Sequence, residues 1–206
     1  MQSPNYMNHK IACRRIVLIG APGAGKGTQA KRLASTHQLA HISTGEMLRA
    51  LVQSESAIGI KVRAQIESGK LVNDELVIAL AADRLRQSDA DRGYVLDGFP
   101  RTAYQAEMLD ETLASADSRL DCCIHLRVDC EMIIERISKR SEIECRVDDL
   151  PATIRHRLAV FEREAAPLLE YYQRRDLLRE VSGAGSLEEV AANIRRVLGQ
   201  RRVAVS

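Results

Sequence analysis

The stretch Gly-Ala-Pro-Gly-Ala-Gly-Lys-Gly-Thr at residues 20–28 constrains this chain more than any other. It follows Ile16-Val17-Leu18-Ile19, a short β-branched run without alternation, as expected of a strand buried on both faces. It precedes Lys26 to His37, where Ala30, Leu33, Ala34 and His37 recur at helical spacing. Strand, glycine-rich turn and helix are together the setting of a phosphate-binding loop. Its glycines let backbone N–H groups turn inward around an anion, and the helix start adds the positive end of its dipole. Lys26 then reaches the outer phosphates. The generic pattern G-x-x-x-x-G-K-[ST] carries a hydroxyl directly after the lysine; here Gly27 holds that place and Thr28 follows.

The rest of the chain alternates short apolar runs with helical patterns. Ala40 to Ser43 reads as a second strand, followed by a short helix that Thr44 caps, and residues 57–68 read as another. Asn73 opens a helix with Leu76, Val77, Leu80, Ala81 and Leu85 on its apolar face. Tyr94 to Leu96 is a core strand with Asp97 at its end, Thr102 to Leu113 a helix, and Asp121 to Val128 a strand. In that strand Cys122 and Cys123 face opposite sides. Asp129 caps a helix, and Lys139 to Asp149 is an exposed, charged loop. Pro151 starts a long helix that Pro167 ends or kinks. Leu177 to Val181 is a fifth strand, and Ser186 to Glu189 form a capping box for the last helix. Strands alternating with helices throughout give an α/β fold, a parallel sheet with helices on both faces.

In such a sheet, ligands bind beyond the C-terminal strand ends. A carboxylate there, Asp97, can hold Mg²⁺ through water, and Arg101 points into the same crevice. Arg136 and Arg140 are four residues apart and project the same way. No Ser-His-Asp or Cys-His constellation accompanies them, and the five histidines read as structural or surface residues. With no Trp, two Phe and five Tyr, base-stacking surfaces for nucleic acid are not expected. A net charge of +2 likewise argues against a general polyanion partner. Five irregularly spaced cysteines argue against a disulfide framework and fit a reducing cytoplasm. No apolar run reaches membrane-spanning length. Residues 1–13 lack an apolar core of the secretory kind and are expected to be a flexible extension.

Beyond the glycine-rich loop, four further stretches stand in order: STGEMLR (43–49), GKLVNDELV (69–77), GYVLDGFPRT (93–102) and ECRVDD (144–149). With GAPGAGKGT, these motifs resemble adenylate kinase, a nucleoside monophosphate kinase family, from about residue 15 to 198. The family's own loop form accounts for Gly27. Glu46 and Asn73 stand where the family often has Asp and Pro, and Cys145 where it commonly has Gly.

The resemblance implies a P-loop NTPase three-layer sandwich built on a five-stranded parallel sheet, with an AMP-binding lobe and a short lid. The single domain would run over 14–206, with core segments 14–42, 73–138 and 150–199, the lobe at 43–72 and the lid at 139–149. By motif position Gly23, Ala24, Gly25, Lys26, Gly27 and Thr28 would hold ATP phosphates, with Gly185 near the ATP base. Thr44, Arg49, Lys70, Leu71, Val72, Gly98, Phe99, Pro100, Arg101 and Gln105 would form the AMP site. Lys26, Arg101, Arg136, Arg140, Arg146 and Arg157 would converge on the phosphates, and Asp97 would anchor the hydration shell of Mg²⁺. The implied reaction is reversible phosphoryl transfer from MgATP to AMP, giving two ADP. The short lid implies no structural zinc, and the expected protein is a cytoplasmic monomer with nucleotides as its partners. Two alternatives share the loop: a UMP/CMP kinase, which usually has Ala at the place of Thr44, and a nucleotide sensor without catalysis. A GTPase switch would need an N-K-x-D motif, which the sequence lacks.

Overall fold

The structure is a computed structural model describing residues 11–54, 56–68, 70–144 and 151–199, with side chains at 138–144 and 151–152 outside the description. Five strands, β1 (Arg15–Ile19), β2 (Ala40–Ser43), β3 (Tyr94–Asp97), β4 (Cys122–Arg127) and β5 (Leu178–Ser182), form one parallel sheet in the order β2-β3-β1-β4-β5. The glycine-rich loop leaves the central strand, so both neighbours flank it. Register places Asp97 beside Leu18 on β1 and beside Ser43 on β2.

Among the described residues, eight α-helices accompany the sheet: α1 (Lys26–His37), α2 (Thr44–Gln53), α3 (Ala57–Glu67), α4 (Asp74–Leu85), α5 (Ala103–Ala114), α6 (Cys130–Glu144), α7 (Pro151–Gln173) and α8 (Leu187–Gly199). β1 shows why the sheet needs helices on both faces. Val17 and Ile19 enter one apolar cluster with Leu96, Leu109, Cys123, Leu168 and Tyr172, under α5 and α7. Ile16 and Leu18 enter another with Leu33, Ile124, Ile194 and Leu198, under α1 and α8. Cys122 lies in the second cluster and Cys123 in the first, the opposite facing expected of consecutive strand residues. Each such aliphatic side chain contributes about 1.5–3 kcal/mol by leaving water. A third, smaller cluster of Ala21, Ile133 and Ile137 seats α6 on the glycine-rich loop, with Ile154 and Phe161 of α7 against it.

Several sequence expectations are corrected. The cap of α2 is Ser43, whose hydroxyl accepts from Glu46 N at 3.4 Å, and Thr44 is the first helical residue. Pro167 lies inside α7 without ending it. The missing donor costs about 3 kcal/mol or more, and burial of Leu168, Tyr171 and Tyr172 beyond it offsets that cost. β5 begins one residue later than read and ends at Ser182. At the N-terminus, Ile11 is buried and Ala12 N donates to Leu198 O at 3.2 Å, so the ordered chain starts before residue 14. Of the stretch 139–149 read as an exposed loop, the first part is helical backbone, since α6 runs on to Glu144, and 145–150, including Cys145 and Arg146, lies outside the described residues.

Candidate active site

Helix starts separate the structural from the functional. Ser43, Ser56, Asn73, Thr102 and Ser186 each cap a helix by accepting a backbone N–H with the side chain. α1 begins on Gly25 (φ +90°), with no side-chain cap. An uncapped first turn leaves N–H groups and dipole directed at whatever fills the loop, the arrangement that suits an anion. Gly23 (φ +82°) has a second reason to be glycine: a Cβ there would stand 2.7 Å from Ile137 of α6. Lys26 curls over the loop, donating to Gly20 O at 2.6 Å and Ala21 O at 2.9 Å.

Asp97 faces the loop from the end of β3. Ser43 Oγ lies 3.4 Å and His41 Nε2 3.8 Å from its Oδ2. Burial alone would push this carboxyl up, but the His41 ring, Lys26 and Arg101 hold it below the ordinary carboxylate value. His41 also approaches Glu46 at 3.9 Å, and Glu46 is bridged by Lys31 at 2.7 Å across the gap between α1 and α2. That hydrogen bond from Lys31 is the main reason the Glu46 carboxyl sits low. The sequence reading of His41 as structural or surface therefore understates its position beside Asp97.

Beyond β3, Gly98 (φ +80°) turns the chain into a compact polar cluster. Its carbonyl accepts from Thr44 Oγ1 at 2.9 Å and from Arg101 Nε at 2.8 Å. The Gln105 amide is fixed at both ends: Oε1 accepts from Arg101 N at 2.7 Å and Nε2 donates to Asp74 Oδ1 at 2.6 Å. Gln105 is buried and so placed against a pocket that Thr44, Arg49, Lys70, Leu71, Val72 and Arg157 also line. From α6, Arg136 spans the opposite wall, donating to Gly183 O at 2.9 Å and Ala24 O at 3.4 Å.

One cleft of about 710 Å³ joins these parts. Residues 22–29, Asp97, Gly98, Arg49, Arg101, Arg136, Arg157 and Gly185 all line it. Of the residues singled out from sequence, Pro100 lines an adjoining smaller cavity. The Phe99 ring is packed into the core and does not line the cleft. Arg140 is described only as helical backbone, and Arg146 falls outside the described residues. The cleft also includes residues the sequence reading passed over: Gln29, whose Nε2 donates to Leu187 O at 3.1 Å, and Gly183, Ser186, Leu187 and Val190 beside β5. Their signal was available, since the capping box at Ser186 follows a strand end in a sheet that binds ligands at strand ends. Asp74, read only as an acidic first-turn residue, was not legible as the partner of Gln105, which lies 31 residues away. Among the described residues, no group of three or more His, Cys, Asp or Glu side chains gathers as a metal cluster. No described helix is long and apolar enough to cross a membrane.

Comparison with known proteins agrees with this geometry. The family model described as Adenylate kinase matches residues 18–177. A protein named Adenylate kinase from Xanthomonas campestris pv. campestris (strain B100) is 44% identical over 186 residues, covering 90% of this chain and 100% of its own length. One of the same name from Thermobifida fusca (strain YX) is 45% identical, covering 91% and 99%. A third, from Caulobacter vibrioides (strain NA1000 / CB15N), is 47% identical, covering 87% and 94%.

Proposed function

The chain belongs to the adenylate kinase family and catalyses reversible phosphoryl transfer between ATP and AMP, and from that premise we propose which of its residues do the work. The observation that carries the assignment is the single cleft in which the uncapped loop of α1, Asp97 and three arginines, 101, 136 and 157, face the same space. The loop, Gly23 to Thr28, takes the ATP phosphates on backbone N–H groups, and Lys26 exchanges its loop carbonyls for phosphate oxygens. Gly185 borders the base of ATP. AMP enters the pocket of Thr44, Arg49 and Lys70 to Val72, where Gln105, held by Asp74 and by Arg101 N, presents a fixed amide to the base.

The AMP phosphate is already an anionic nucleophile, so the protein supplies no general base. Its task is alignment and charge compensation. Arg101 and Arg157 draw the acceptor phosphate toward the loop, and Arg136 stabilises charge on the transferring group. Arg140 and Arg146 join them from the segment read as the lid, 139–149, which with the 43–72 lobe closes to exclude water. Asp97 fits a hydrated Mg²⁺, being an ionised carboxylate beside the phosphate loop; Ser43 Oγ and Thr28 stand at the same cleft. Bound there, the ion neutralises phosphate charge. We further propose a cytoplasmic monomer without structural zinc.

A coupled assay of ADP formation from MgATP, with AMP, UMP, CMP or GMP as acceptor, tests the acceptor site. Preference for AMP is expected. Preference for UMP or CMP would overturn the roles given to Thr44 and Gln105, and binding of ATP without transfer would make the chain a sensor.

A further inference from the structure

α3 and the start of α7 are 86 residues apart in sequence, yet Thr153 Oγ1 donates to Glu67 O at 3.1 Å. Thr153 is only 7% exposed, so its hydroxyl has left water for this contact. Glu67 is the last residue of α3, and the final carbonyls of a helix have no partner within it. The neighbouring carbonyls are satisfied locally, Ala64 O by Ser68 N and Gln65 O by Lys70 N. Thr153 supplies the donor for the carbonyl at the end of α3. Arg157 follows Thr153 by one helical turn, so the two project from one side of α7. Arg157 lines the same pocket as Ile66 and Lys70, which flank Glu67 in sequence.

We propose that Thr153 is a positioning residue, a latch that holds the 43–72 lobe against α7 when Arg157 engages the acceptor phosphate. The inference rests on the reading of that lobe as the AMP site. The first turn of α7 is already seated on the end of α3 by the Thr153–Glu67 bond, so a phosphate that engages Arg157 binds a lobe the latch holds in place. Opening must break that bond, so the latch favours the AMP-loaded, closed lobe without touching nucleotide.

The test compares T153V, which keeps the shape and removes the donor, with T153S, which keeps the donor. T153V is expected to raise the KM for AMP about three- to tenfold, the scale of one hydrogen bond. Its KM for ATP should change by less than about twofold, and its kcat should hold or rise because opening becomes easier. T153S is expected to restore the KM for AMP. Amide exchange in the last turn of α3 should slow on adding AMP in the parent and T153S, and less in T153V. An unchanged KM for AMP in T153V, or a T153S variant as impaired as T153V, would overturn the latch. Absence of AMP turnover in the parent protein would overturn the functional reading and the latch with it.

Discussion

A methyl group on Gly27 would lie 3.3 Å from Asp97 Oδ2, so the residue after the loop lysine and the carboxylate ending β3 compete for one space. G27A should therefore crowd the carboxylate that the ATP-bound metal needs. We expect kcat/KM for MgATP to fall about tenfold, equivalent to roughly 1.4 kcal/mol, with melting temperature little changed. Steady-state kinetics at varied MgATP checks this, and wild-type kinetics in G27A would remove Gly27 from the metal's surroundings.

Arg136 has two carbonyls, Ala24 O and Gly183 O, within reach of one planar fork. R136A should lower kcat on the order of 10³-fold if the guanidinium acts on transition-state charge. The lost hydrogen bonds should cost only about 1 kcal/mol of stability, a melting shift of about 2–4 °C. R136K should rescue little, because a point-like ammonium cannot reproduce the fork. A variant with normal turnover and lowered stability would make Arg136 a structural clamp.

Asp97 links charge to stability. Its folded value lies below the ordinary one, so the ionised form stabilises the fold above the unfolded value of about 3.9. That contribution fades as pH falls through the lower folded value. D97N should melt below the parent at pH 7, and the gap should close as pH is lowered toward 3. Thermal melts across pH 3–8 measure it. A gap constant over that range would mean the carboxylate's charge contributes nothing to folding.

Asp74 reaches the acceptor site through Gln105, whose Nε2 donates to its Oδ1. D74A should free the Gln105 amide to rotate, raising the KM for AMP about tenfold, near the low end for a lost hydrogen bond to a charged group. The KM for ATP should stay within about twofold. Discrimination between AMP and CMP, measured as a ratio of kcat/KM, should narrow in the same variant; an unchanged ratio would show that Asp74 does not orient the amide.

What the sequence disclosed and what it withheld divide along contact range. The loop at 20–28, the alternation of elements and the helix starts at Asn73 and Ser186 are local, and they are present as read. The cap at Ser43 was misassigned by one residue because Ser and Thr are both good caps and adjacent. Phe99 sits within a motif that reads as a site, yet its ring points into the core, a choice that packing makes. Pro167 reads as a helix end or a kink because propensity counts the lost donor and not the buried tyrosines beyond it, and α7 runs on through it. The pairings of Asp74 with Gln105 and of Thr153 with Glu67 depend on tertiary approach, which spacing along the chain does not encode.

Cys122 and Cys123 are consecutive, both almost without exposure, and they belong to opposite apolar layers of the sheet. The hydrogen bond with the Cys13 thiol, then burial, push Cys122 up, and burial pushes Cys123 up, so both buried thiols are expected to be unreactive while the fold is intact. They thus form a native pair of reporters carried on one peptide. A thiol-alkylating reagent followed by mass spectrometry can time the loosening of the α1–α8 layer at one sulfur. It can time the α5–α7 layer at the next, and so reveal whether the two halves of the sandwich breathe together or apart.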